Sequence, residues 1–108
     1  MPTSLTLDTA RNNDGKLVLI ASGEIDLSNI DTFARALSAA VAETAGSGGR
    51  ITVDLSAVEY LDSAAVNALF THAERIHLIV RPLLTRVFTI SGLTELATME
   101  EAPPKAEQ

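Results

Sequence analysis

The stretch Ile51-Thr52-Val53-Asp54-Leu55-Ser56-Ala57-Val58-Glu59-Tyr60-Leu61-Asp62-Ser63-Ala64-Ala65-Val66 changes its hydrophobic period part-way along. Ile51, Val53 and Leu55 alternate with Thr52 and Asp54, the period of a half-buried strand. Val66, Leu69, Phe70 and Ala73 then recur at helical spacing. Between the two patterns stand Asp62 and Ser63, both residue types that cap helix N-termini by accepting from free backbone N–H groups. A strand through Leu55, an apolar link over Ala57 to Leu61 and a helix opening at Asp62-Ser63 are therefore expected. Strand feeding helix is the repeating step of an α/β chain.

The same step recurs on both sides. Upstream, Leu5 and Leu7 alternate with Thr6 and Asp8, and Asn12-Asn13-Asp14-Gly15 has strong turn chemistry, so a hairpin is expected. Its second arm, Leu17 to Ala21, is apolar without alternation and reads as a strand covered on both faces, which Gly23-Glu24-Ile25-Asp26 then interrupts. Ile30, Phe33, Ala34, Leu37 and Val41 give a helix from about Ser28 to Thr44, with Ser28 and Asp31 as a capping pair and Gly46-Ser47-Gly48-Gly49 as the loop behind it. Downstream, Ile76 to Val80 reads as a fourth strand. Pro82 opens a third helix with Leu84, Val87 and Phe88 as core residues, and Gly92 closes it. Thr94 to Met99 is expected to add an edge strand. The order predicts a mixed sheet of four to five strands with about three helices, mainly on one side.

Composition sets the limits. The chain has 108 residues, enough for one core, read as a single domain over residues 1–100 with a polar, Pro-rich, disordered tail over 101–108. Apolar residues make up 46% and aromatics only 4%, so the core must be aliphatic. The absence of cysteine excludes a disulfide scaffold, thiolate metal sites, a cysteine nucleophile and a thiol redox switch, and fits a cytoplasmic protein. A net charge of -6 speaks against nucleic acid as partner, because phosphate binding needs a basic face. Met1-Pro2-Thr3-Ser4 has no basic cluster leading into an apolar stretch, so no signal peptide is expected. No apolar run approaches the roughly 20 residues of a membrane span.

Little in the chain suggests catalysis. Gly46-Ser47-Gly48-Gly49 follows a helix and precedes a strand, the reverse of the order that cradles phosphates. His72 and His77 are five apart with no third ligand nearby, so both read as structural and no metal or other cofactor is expected. If Ser63 and His72 share a helix they stand roughly 13 Å apart along its axis, beyond any hydrogen bond. Glu24 and Asp26 read as charged residues at a strand end. Without a convergent acid, base and nucleophile, an enzyme is the least supported class.

Three blocks together resemble the STAS domain of bacterial anti-sigma factor antagonists, the anti-anti-sigma factors. Asp62-Ser63-Ala64-Ala65-Val66 looks like that family's Asp-Ser-Ser/Thr-Gly-Leu/Val at the start of a helix. Gly23-Glu24-Ile25-Asp26 is similar to its Gly-Glu-Leu/Ile-Asp, and Arg86-Val87-Phe88-Thr89-Ile90-Ser91-Gly92-Leu93 to its Arg-Leu-Phe-x-x-Ser/Thr-Gly-Leu. The departures are specific. Ala64 and Ala65 replace the second hydroxyl residue and the glycine, the stretch from Asp62 to Pro82 is short, and the family's C-terminal helix has no counterpart.

The resemblance implies a non-enzymatic protein that binds an anti-sigma factor, commonly a serine kinase, and so releases a sigma factor. It implies phosphorylation at Ser63 as the off-switch, reversed by a phosphatase of the PP2C type, and a partner surface built from Glu24, Asp26, Asp62, Ser63, Ala64 and Ala65. Spacing alone also allows Ser63 to be no more than a cap. Two alternatives stand beside the switch: a constitutive STAS scaffold that phosphorylation does not control, and a nucleotide or small-ligand binding module. Oligomeric state is not legible.

Overall fold

Alternating leucines, a turn rich in Asn and Gly and a long apolar run make the first hairpin of the computed structural model, which describes residues 4–13, 15–45, 49–92 and 97–102. Strand β1 (Leu5–Arg11) pairs antiparallel with β2 (Leu17–Ile25). The turn between them is held by Asn12, whose side-chain oxygen accepts from Lys16 N at 3.0 Å and whose carbonyl accepts from Gly15 N at 2.9 Å. Then follow α1 (Ile30–Ala45), β3 (Ile51–Leu61), α2 (Ser63–Thr71), a 3-10 turn (Ala73–Arg75), β4 (Ile76–Val80), α3 (Pro82–Ser91) and β5 (Thr98–Glu101). The strands form one five-stranded sheet in chain order, with β2 to β5 parallel. This is the mixed sheet with three helices that the sequence leads one to expect.

Each parallel step moves one strand further in the same direction, and right-handed crossovers place the connecting helices on one face. Burial agrees. Leu17, Leu19 and Ala21 of β2, Ile51, Val53 and Leu55 of β3, and Ile76, Leu78 and Val80 of β4 are buried, while Val18, Ile20, Thr52, Asp54, His77 and Ile79 between them are only partly so. The expectation that β2 is covered on both faces is thus corrected: its apolar run lies half on the helix side and half on an open face. Phe33 and Leu37 of α1, Leu69 of α2 and Phe88 of α3 close the core, each fully buried.

Two strands run past their expected ends. Strand β2 continues through Gly23-Glu24-Ile25, and β3 through Leu61. The apolar link is strand because β3 bulges twice. From Ile20↔Asp54 to Ser22↔Ala57, and again from Gly23↔Val58 to Glu24↔Tyr60, β3 spends one residue more than β2. The side-chain oxygen of Asp54 caps the first bulge, accepting from Ser56 N at 2.9 Å and Ser56 Oγ at 2.6 Å. Each bulge keeps the next apolar residue on the core side, so Leu55, Val58 and Leu61 are all buried although spaced by three. Gly23 has φ +100, and a Cβ there would stand 2.4 Å from the carbonyl oxygen of Ser4, so only glycine lets the two strands close at this point.

The helix ends bring smaller corrections. Helix α1 begins at Ile30, and the Ser28-Asp31 capping pair is not the one observed: Ser28 Oγ donates to Asp26 Oδ1 at 2.6 Å instead. Helix α2 stops at Thr71, and one 3-10 turn leads directly into β4, which accounts for the short stretch before Pro82. Pro82 opens α3 and Gly92 ends it in the left-handed conformation at φ 87, as the sequence suggests. Val87, expected in the core, is 38% exposed, because α3 turns only Leu84 and Phe88 inward. The edge strand lies later than expected and includes Glu101, and Ala102 N donates to Val80 O at 2.7 Å. Residues 103–108, 46–48 and 94–96, on which parts of the expected tail, glycine loop and edge strand fall, lie outside the described residues.

Candidate functional site

At the end of β3 the chain turns into α2, and one carboxylate makes the turn. Asp62 is the N-cap, its Oδ1 accepting from Ala64 N at 3.0 Å and from Ala65 N at 3.2 Å. Ser63 occupies the first helical position, is exposed, and its hydroxyl has no hydrogen-bond partner among the described residues. The cap is therefore Asp62, and Ser63 is left free. Its hydroxyl stands beside the positive end of the helix, where the first N–H groups lack intrahelical acceptors.

The backbone fastens this turn to the end of β2. Asp62 N donates to Ile25 O at 3.1 Å, and Glu24 and Ile25 pair in register with Tyr60 and Leu61. Glu24 and Asp26 thereby reach the same end of the sheet as Ser63, as the sequence reading requires of one surface. Ala65 does not share it. Its side chain is fully buried, so it packs under the helix and offers a partner nothing beyond the backbone N–H already taken by Asp62. Ala64 is partly exposed.

The segment from Glu24 to Asn29 is tightly tied. Asp26 Oδ1 accepts from Ser28 N at 2.9 Å as well as from the Ser28 hydroxyl, Asn29 Oδ1 accepts from Asp26 N at 3.0 Å, and Asn29 Nδ2 donates to Glu24 O at 2.9 Å. The residue held at the tip is Leu27, 78% exposed. Tyr60, the register partner of Glu24, is 50% exposed. These two exposed side chains lie at the same end of the sheet and were not identified from the sequence. A leucine between Asp26 and Ser28 fits neither strand nor helix period, so nothing marks it until the turn is seen.

The histidines serve elsewhere. His72 is the C-cap of α2, at the far end from Ser63, and its Nε2 lies 3.3 Å from Ser38 Oγ on α1. His77 bridges two strands, with Nδ1 3.0 Å from Thr98 Oγ1 and Nε2 2.7 Å from Glu100 Oε1. Among the described residues no group of three or more His, Asp or Glu side chains could hold a metal ion, and no helix is long and apolar enough to cross a membrane.

With this geometry in place, comparison with known proteins is decisive about family. The model of the Mlab-type STAS domain matches residues 9–99. The chain belongs to the STAS family. Among solved structures, the STAS domain is similar to an anti-sigma factor antagonist from Mycobacterium paratuberculosis, with TM-score 0.78, 27% identity, and coverage of 95% of this chain and 88% of that one. It also matches the anti-sigma factor antagonist SpoIIAA in its unphosphorylated form, with TM-score 0.67, 20% identity and coverage of 92% and 90%. The phosphorylated form of the Bacillus protein SpoIIAA matches with TM-score 0.58, 21% identity and coverage of 92% and 93%. At these last identities the likeness speaks for the fold alone. A search of curated protein sequences finds no match.

Proposed function

We propose that this STAS domain is an anti-sigma factor antagonist: unphosphorylated, it binds an anti-sigma factor of the serine kinase type and so releases a sigma factor, and phosphorylation of Ser63 ends that binding. The observation that carries the reading is the free, exposed Ser63 hydroxyl at the first position of α2, one residue from its capping carboxylate and on the same rim as Glu24, Asp26 and Leu27. A phosphate there is compatible with the fold, because a helix N-terminus favours anions. Its effect falls on binding. It adds about 1.5 to 2 negative charges to a rim that already carries Glu24, Asp26 and Asp62. Like-charge juxtaposition across an interface costs several kcal/mol, and each ~1.4 kcal/mol is tenfold in affinity. A PP2C-type phosphatase would reset the switch, and a cytoplasmic setting follows from the same reading.

Incubation with the anti-sigma factor kinase and ATP, followed by phosphopeptide mapping, tests this. Modification at Ser63 with loss of the complex is the expected result, and an unmodified Ser63 overturns the switch. The replacement of the motif's second hydroxyl residue and glycine by Ala64 and Ala65 favours one competing reading, a constitutive scaffold. Ser63→Ala that keeps signalling under conditions that inactivate the wild type would select the switch, and Ser63→Ala that behaves like wild type under every condition the scaffold.

A further inference from the structure

The end of the sheet remote from Ser63 holds a cleft of about 440 Å³, whose lining includes Arg11, Lys16, Leu17, Glu43, Thr44 and Arg50. Arg11 ends β1, Leu17 opens β2 and Arg50 immediately precedes β3, whereas Ser63 follows the other end of β3, roughly 30 Å away along the strand. The volume falls within the roughly 300–1,000 Å³ of small-molecule sites. Leu17 is buried and supplies an apolar floor, and three cations from three segments of the chain stand around it. The chain has 8 Lys and Arg residues against 14 Asp and Glu, so three cations at one cleft concentrate positive charge in an acidic molecule.

The local bonds leave that charge available. Arg11 is braced on two sides, Nη1 donating to Gly15 O at 3.0 Å and Nη2 to Glu43 Oε2 at 3.0 Å, and a guanidinium has further N–H groups to give. Arg50 donates Nε to Glu74 O at 3.4 Å and keeps both Nη groups, the fork that can meet two oxygens of one phosphate. The Lys16 ammonium has no partner among the described residues. Glu43 is the one carboxylate among the described residues of the lining, so three cations against one anion leave the cleft with a net positive charge of two. A phosphate monoester carries about 1.5 to 2 negative charges at pH 7 and matches it. A single carboxylate ligand would leave one cation unbalanced, and a polynucleotide needs a basic surface that runs on beyond one cleft, which a chain of net charge -6 does not offer.

We propose that this cleft binds a small phosphate monoester, at a site separate from the rim around Ser63. Arg50 and Lys16 hold the phosphoryl oxygens, Arg11 adds its charge from its brace on Glu43, and the organic part of the ester lies against Leu17. The test is a titration of isotopically labelled protein with phenyl phosphate in about 0.15 M salt, where loose surface attraction is screened, followed through the backbone amide NMR signals, with phenol as the uncharged control. Phenyl phosphate should shift the amides of Arg11, Lys16, Leu17 and Arg50 saturably, and phenol should not. Lys16→Ala/Arg50→Ala should weaken binding by about tenfold or more, the effect of losing charge-assisted hydrogen bonds. Arg86→Ala, which removes an exposed cation on α3, should leave it unchanged. The amide spectra report whether the variants fold, and Lys16→Glu alone, at an exposed position, carries the test if the double variant does not. The proposal is overturned if no saturable shift appears, or if the cleft variants bind like wild type. It is equally overturned if the shifts centre on Asp62 to Ala65, since the anion would then sit at the start of α2.

Discussion

Ser63 owes its freedom to Asp62. A serine at a helix start commonly spends its hydroxyl on the first N–H groups, but here the neighbouring carboxylate takes both Ala64 N and Ala65 N. Cap and candidate acceptor are adjacent residues with separate duties, which the two names alone could not apportion, since both are good caps. Asp62→Ala should therefore cost about 1 kcal/mol of stability, the usual loss for a removed N-cap. In a domain of this size that is a fall of roughly 4–8 °C in Tm. Asp62→Ser should recover most of it, and a thermal melt of the three proteins checks both. Ser63→Ala should melt close to wild type, because the hydroxyl it removes bonds nothing among the described residues.

At the scale of elements, the turn between β2 and α1 is the least expected and the best fastened part of the rim. Four side-chain hydrogen bonds from Asp26 and Asn29 hold a leucine out to water. An apolar side chain so placed in a rigid turn loses little entropy on binding, which is what an interface anchor needs. Leu27→Asp should leave the melt within about 0.5 kcal/mol of wild type, as surface changes usually do. It should weaken the anti-sigma factor complex by about tenfold or more, read by titration calorimetry. Strand β3 shows why some of this was hidden in the sequence. Its strict alternation stops at Leu55, and two bulges convert the period of two into the three-residue spacing of Leu55, Val58 and Leu61, which imitates neither a plain strand nor a loop. Where the period was undisturbed, as in β4, and where Pro82 and Gly92 mark the ends of α3, the sequence and the structure coincide. Val87 failed for a different reason: α3 is apolar on two faces, and sequence cannot tell which one is covered.

Across the whole molecule, three helices on one side of a mixed sheet leave the strand ends to carry interactions. The fold itself rests on an aliphatic core with few large anchors. Phe88 is the fully buried one that pins α3, so Phe88→Ala should cost about 3–5 kcal/mol. Against a typical total of roughly 5–15 kcal/mol, that should appear as a strongly lowered denaturation midpoint in urea. A phosphate at Ser63 should act in the opposite way, leaving this core intact and altering only what the rim will bind. The most direct test of that separation is the affinity of the anti-sigma factor for wild type and for Ser63→Asp, measured by titration with both proteins shown to be folded by their melts. The account predicts tight binding by wild type and a loss of about a hundredfold or more in Ser63→Asp, with an unchanged melt. Equal affinity for the two would contradict it.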